Sequence, residues 1–272
     1  MHPILFRIGS FEIGTYGLLM AMGFLAALIL GKRYAKEDGL APDAMVDISL
    51  VVLIAGILGS KLLMVIVDLF SGQPVSQVFS LGTLRAGGAV HGGILAAILA
   101  FFWRVRALKV PAAKTLDILA SAVPLGQAIG RLGCLAAGCC YGAYCDMPWA
   151  IVFHDPNPAF HDPSAVRFGP FGNPLEIPLH PVQLYFCLSN LAIAAALFFS
   201  RRFRKFPGQL AALYFGLEGL LRIILETWRG DYDRGFWLDI PWLSTGRLTG
   251  MLFILIGAGI WLWYGRRADQ KA

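Results

Sequence analysis

Residues 14–36 read "GTYGLLMAMGFLAALILGKRYAK": eighteen residues from Gly14 to Gly31 without a charge, then Lys32, Arg33 and Lys36. An apolar stretch of about 20 residues spans the hydrocarbon core of a bilayer. A basic cluster at one end of such a stretch marks its cytoplasmic side. The run has no small-residue cleavage site before "KRYAK" and no basic segment ahead of it. It is therefore expected to persist as a first transmembrane helix and not to be removed as a signal peptide.

The same pattern recurs. Apolar stretches cover 14–31, 47–68, 87–103, 114–131, 180–200, 208–228 and 246–265, the fourth interrupted by Pro124 and several glycines. The chain is 57% hydrophobic and 15% charged, where a soluble domain carries about a quarter charged residues. The runs are continuous, not alternating, which selects helices over a barrel. The expected class is an all-α integral membrane protein with seven transmembrane helices.

Basic residues follow spans one (Lys32, Arg33, Lys36), three (Arg104, Arg106, Lys109, Lys114), five (Arg201, Arg202, Arg204, Lys205) and seven (Arg266, Arg267, Lys271), together 14 of the 23 Lys and Arg. The positive-inside rule puts these connections in the cytoplasm, with the N-terminus out and the C-terminus in. The net charge of +6 is thereby accounted for by topology, and nucleic acid is not expected as a partner. Residues 1–272 read as one polytopic domain. The outward connection 132–179, rich in Pro, Asp and His, is expected to form a small extracytoplasmic head.

Ionisable groups inside spans are costly and usually face the bundle interior or a wet cavity. Tyr16, Lys61, His91, Arg131, His180, Arg222, Glu226 and Arg247 all fall in the outer half of the expected bundle, whereas Asp117 and Glu218 lie nearer the inner face. In span six, Glu218, Arg222, Glu226 and Arg229 recur every four, four and three residues on one helix face. They form either a packing ladder of ion pairs or part of a site. His91 is either an interhelical hydrogen-bonder or a site residue. Its neighbours Gly92 and Gly93 serve either close helix packing or the approach of a lipid headgroup to the backbone. Guanidinium binds phosphate through paired donors, so Arg131 and Arg222 suit a phospholipid headgroup. The residues alone reach a polytopic protein with an anionic-lipid site.

Five segments then carry a resemblance: "YGLLMAMGF" at 16–24, "GGAVHGGILA" at 87–96, "DILASAVPLGQAIGRLG" at 117–133, "HPVQLY" at 180–185 and "LRIILETWR" at 221–229. In this order they resemble the prolipoprotein diacylglyceryl transferase family of the bacterial inner membrane. The resemblance implies transfer of a diacylglyceryl group from phosphatidylglycerol to the lipobox cysteine of a prolipoprotein signal peptide, with release of glycerol phosphate and no cofactor or metal. It assigns Arg131 and Arg222 as the critical arginines, with Tyr16, His91, Asp117, Gly142, Glu226 and Arg229 at further functional positions. His91 is the candidate base for the thiol, or else a hydrogen-bond donor to lipid. Rival readings are a lipid or anion transporter and a divergent paralogue on the same scaffold.

The stretch "GRLGCLAAGCCYG", 130–142, departs from the family signature, which has asparagine at positions 134 and 137 and Glu-Leu-Trp-like residues at 139–141. Cys134, Cys139, Cys140 and Cys145 are read as disulfide braces or as small buried packers. Zinc ranks last, because the spacing offers no C-x-x-C pair and His154 and His161 lie in a loose loop. Cys187, inside span five, reads as packed. Trp149, Phe153, Phe160, Phe168 and Phe171 form either an interfacial belt or a grip on the signal-peptide helix.

Overall fold

The structure, a computed structural model, describes residues 4–8, 11–79, 88–152, 178–230, 236–237, 240 and 242–269. A hairpin of β1 (Ile4–Ile8) and β2 (Phe11–Gly14) leads into α1 (Thr15–Glu37), α2 (Pro42–Phe70), the short α3 (Val75–Val78), α4 (Val90–Ala107) and α5 (Ala112–Ala137). Two short strands, β3 (Ile151–Val152) and β4 (Pro178–Leu179), precede α6 (Val182–Ser200), α7 (Gln209–Leu225) and α8 (Thr245–Asp269). Most of the expected head, with His154, His161, Phe153, Phe160, Phe168 and Phe171, lies outside the described residues.

Among the described residues, six helices are long and apolar enough to cross a membrane: α1, α2, α4, α5, α6 with its 3-10 extension, and α8. Large apolar side chains stay exposed along them, such as Ile29, Leu58, Leu99, Leu188 and Leu255, a surface suited to lipid and not to water. The helix in the sixth expected span, α7, has 17 residues and gives way to a 3-10 turn over Glu226–Trp228, so it is not among the six. Pro124 sits inside α5. It removes one intrahelical donor, yet the helix continues past it to Ala137.

The chain divides into two compact units, Gly31–Thr115 and the remainder, Met1–Leu30 with Leu116–Ala272. In the smaller unit, α2 and α4 touch backbone to backbone. A Cβ on Gly92 would lie 2.4 Å from the Gly59 carbonyl oxygen, and one on Gly93 2.9 Å from that of Gly56. Such small-residue seams let helices associate in lipid, where burial offers no hydrophobic gain. Arg104 on α4 clasps Asp47 on α2 bidentately, its Nε donating to Oδ1 at 2.7 Å and its second nitrogen to Oδ2.

The larger unit has two more seams. Gly23 of α1 meets Gly126 of α5, and Gly219 of α7 meets Gly250 of α8. Its apolar core joins Ala120 of α5, Ile193 and Leu197 of α6, and Leu210, Ala211 and Tyr214 of α7.

Candidate functional site

Register along α5 and α7 sets the site. Asp117, fully buried near the start of α5, accepts hydrogen bonds from the backbone N–H of Gly208 at 2.8 Å and Ala211 at 2.9 Å. Arg204 stands 3.7 Å from the same carboxylate. These amides belong to the first turn of α7, whose N–H groups lack intrahelical partners. The anionic cap therefore satisfies donors and suits the positive helix end. Arg131 lies fourteen residues beyond Asp117, and Arg222 fourteen beyond Gly208. At 1.5 Å per residue, each arginine sits about 21 Å up its helix from the shared cap. Asp117 itself is thus a helix cap at the far end of α5, and the structure does not bring it to the arginines.

At that level Arg131 lies over the ring of Phe186, its guanidinium carbon 4.3 Å from the centroid, within cation–π range. The Nε of Arg222 is buried, with no hydrogen-bond partner among the described residues. Buried donors are rarely left so. The Arg222 guanidinium sits in the field of Arg131 and Arg229 and of the carboxylates of Glu218 and Glu226. Tyr16, exposed in the first turn of α1, is in electrostatic reach of Arg131 and of Cys134, Cys139 and Cys140. It packs on Gly133, where a Cβ would meet its ring at 3.3 Å. Among the described residues, three guanidinium groups share this field with two carboxylates, which leaves positive charge in excess.

Glu226 is buried and pinned. Its Oε1 accepts from Ser244 Oγ at 2.8 Å, and its Oε2 lies 3.8 Å from an Arg229 nitrogen. Ser244 also caps α8, accepting the Arg247 N–H at 3.2 Å, the N-cap arrangement that satisfies an orphan donor. A Cβ on Gly246 would lie 2.3 Å from Glu226 Oε2. Arg247 turns away, donating to the Trp242 carbonyl at 2.8 Å.

Gly142 stands where three segments cross. Its N–H donates to His180 O at 3.0 Å, Ala143 N–H to Trp228 O at 2.8 Å, and Gly230 N–H to Tyr141 O at 3.3 Å. Gly142 thereby pairs with Arg229 across an antiparallel bridge. A Cβ at 142 would fall 2.4 Å from His180 Cβ, 2.5 Å from His180 O and 2.8 Å from Trp228 O, so only hydrogen fits. This clasp ties the chain after α5 to the start of α6 and to the chain after α7.

The stretch between Arg131 and that clasp folds back on itself. Cys139 N–H reaches Cys134 O and Gly138 N–H reaches Leu135 O, both at 3.1 Å, with Gly138 at φ 73°. This is a Schellman ending, with glycine in the left-handed position. Cys140 follows at φ 58°, unusual for a residue with a Cβ. Gln183 Nε2 holds the Cys139 carbonyl at 2.8 Å. All five cysteines are free thiols, with Cys145 and Cys187 buried, and the expected disulfide braces do not form. Hydrogen bonds from Cys134 and Cys139, aided by the charges of Arg229 and Arg131, hold the Cys140 thiol below its ordinary range. Hydrogen bonds with Cys134 and Cys140 raise that of Cys139.

His91, Gly92 and Gly93 belong to the smaller unit. His91 is exposed in the first turn of α4, while Gly92 and Gly93 face α2 in the seam already described. That favours helix packing over headgroup contact for both glycines. Sequence reasoning missed Gln183, Phe186 and Ser244. Gln183 lay within the quoted "HPVQLY" as a polar residue inside an apolar run, which was the available signal. Phe186 and Ser244 had none.

Six helices long and apolar enough to cross a membrane, with Arg131 and Arg222 level near the ends of two helices, define the class of multi-pass helical membrane proteins. The sequence profile described as prolipoprotein diacylglyceryl transferase matches residues 3–263, and the chain belongs to that family. It is similar to the phosphatidylglycerol–prolipoprotein diacylglyceryl transferase of Clostridium tetani, at 32% identity over 257 residues, 94% of this chain and 95% of that one. The protein of the same name from Gloeobacter violaceus is 31% identical over 274 residues, covering 99% and 95%. That from Thermotoga maritima is 31% identical over 257 residues, covering 93% and 81%.

Proposed function

We propose that this protein transfers the diacylglyceryl group of phosphatidylglycerol to the lipobox cysteine thiol of prolipoproteins, forming a thioether and releasing glycerol phosphate. The observation that carries the reading is the pairing of Arg131 and Arg222 at one level, with an Arg222 donor buried and unpartnered among the described residues. The acceptor thiol loses its proton, and its sulfur attacks the terminal glyceryl carbon. The carbon–oxygen bond to phosphate breaks, and the electron pair leaves on oxygen. Negative charge grows on that phosphate as the bond lengthens. Guanidinium donors fixed beforehand therefore favour the transition state over the ground state.

In this reading Arg229 adds a third cation, held by Glu226 and by the bridge to Gly142. Tyr16 lines the approach from α1, and the thiol proton passes to water. The chain crosses the bacterial inner membrane seven times with α7 as the sixth span, N-terminus out and C-terminus in. Residues 132–179 form the extracytoplasmic head, and the site opens toward the outer leaflet. A transporter would need a polar trail through the inner half of the bundle, and the sequence puts only Asp117, engaged as a helix cap, and the buried Glu218 there.

The test supplies purified protein with phosphatidylglycerol and a lipobox peptide and follows glycerol phosphate. Release that falls at least 100-fold in Arg131→Ala and Arg222→Ala, as expected for loss of an oxyanion donor, supports the assignment. Full activity in either variant refutes it.

A further inference from the structure

The Sγ atoms of Cys134, Cys139 and Cys140 all lie within 4.8 Å of one another. These are three of the positions at which the chain departs from the family signature. A helix ending, not a C-x-x-C loop, brings them together. The Schellman turn at Gly138 folds Cys139 over Cys134, and the left-handed backbone at Cys140 turns the third thiol into the group. Left-handed conformation at a side-chain-bearing residue is strained and persists where its surroundings demand it. Gln183 fixes the carbonyl between the paired cysteines.

We infer that Cys134, Cys139 and Cys140 form a trithiolate site for zinc whose fourth position takes the acceptor thiol of the substrate. Zinc–sulfur bonds of about 2.3 Å in a tetrahedral site put sulfurs about 3.8 Å apart, so the three thiols close on an ion with shifts of an ångström or less. Soft thiolates select zinc or copper(I) over hard cations, and three protein ligands with one open position is the arrangement of catalytic zinc. The three cysteines are half-buried, none of them wholly enclosed. A zinc ion with three thiolates carries one net negative charge, and Arg131 and Arg229 lie in its field.

The inference rests on the transferase reading and deepens it. A thiol that coordinates zinc is deprotonated outright; its proton passes to water. The bound sulfur then attacks the glyceryl carbon while the arginines hold the phosphate. One S–C bond forms, one C–O bond breaks, and no electron is exchanged with an outside partner. The thioether product is a poorer ligand than a thiolate and leaves. Cysteine at these three positions thus supplies a sulfur-activating group beside the phosphate site.

The experiment uses the full chain in detergent, reduced and stripped of metal, then given zinc or cobalt(II). Expected are one zinc per chain by elemental mass spectrometry and a thiolate-to-cobalt charge-transfer band. Both are absent from a Cys139→Ser/Cys140→Ser variant that keeps its gel-filtration profile. Adding lipobox peptide should shift the cobalt spectrum, and chelation should cut glycerol phosphate release at least tenfold, with zinc restoring it. The cobalt spectrum of the unmutated protein keeps the test valid where the variant fails to fold. The site is refuted if the reduced protein binds no stoichiometric metal, or if two of the three cysteines are cross-linked in active protein. Its role in sulfur activation is refuted if zinc binds but chelation leaves transfer unchanged. Zinc binding without any release from phosphatidylglycerol refutes the transferase reading and leaves the metal site standing.

Discussion

Replacing Asp117 separates a structural role from a chemical one. Alanine at 117 strands two backbone donors, those of Gly208 and Ala211, and removes one partner of Arg204. A hydrogen bond to a charged acceptor contributes about 1.5–3 kcal/mol, and an ion pair with a partly exposed arginine adds about 0–1 kcal/mol. Against this, the variant no longer holds a carboxylate out of water. The net loss is about 3–4 kcal/mol for Asp117→Ala. It is roughly half that for Asp117→Asn, which keeps one acceptor for one N–H. At about 2–4 °C per kcal/mol for a chain of this size, thermal unfolding in detergent should fall by about 6–16 °C for alanine and about half as far for asparagine. Because the cap also sets the level of Arg222 against Arg131, the folded fraction should lose activity as well, in proportion to destabilisation across the two variants. The reasoning fails if alanine shifts the melting temperature by less than about 2 °C. It fails equally if Asp117→Asn is inactive while melting like the parent, for then the carboxylate serves the chemistry directly.

Arg222→Lys keeps the charge but loses the planar fork, and release of glycerol phosphate should drop by about 100-fold with melting unchanged. Gly142→Ala forces a Cβ into His180 and Trp228; it should open the clasp, abolish transfer and make the chain after Cys140 sensitive to protease. Ser244→Ala removes the α8 cap and a Glu226 donor, costing about 1 kcal/mol, read as a fall of a few degrees in melting temperature. Burial holds the His180 imidazole below its ordinary value, with Asp146 opposing and Tyr185 Oη 3.0 Å from its Nδ1. Between that lowered value and about 6.5 the unfolded chain binds the extra proton. Stability should therefore fall as pH drops through about 6.5 and level off once the folded state also protonates, and His180→Asn should flatten that slope.

The helical class and most spans were legible because twenty-residue apolar runs have few alternatives. The reading counts seven spans where the described residues hold six helices long and apolar enough to cross a membrane: the stretch 208–228 shows no local mark of where its helix stops, and α7 ends after 17 residues in a 3-10 turn. The arginines could be picked out because charge in an apolar run is conspicuous. The role of Asp117 could not: capping depends on which helix end lies beside it, a fact of tertiary packing with no local mark. Gly92 and Gly93 show the same limit, because a glycine that admits a neighbouring helix and one that admits a ligand look alike in sequence. The three cysteines were read by spacing rules drawn from loops, and a helix ending obeys other spacings.

Arg131 is anchored by the face of Phe186, and that choice has a consequence for turnover. A carboxylate partner would occupy the very N–H groups that a phosphate needs, and each catalytic cycle would have to break that bond and remake it. An aromatic face holds the cation through its π cloud and leaves the in-plane donors vacant. In the proposed reaction the guanidinium exchanges one anion for the next while its own attachment stays intact, so product departure and lipid arrival need no rearrangement at this residue.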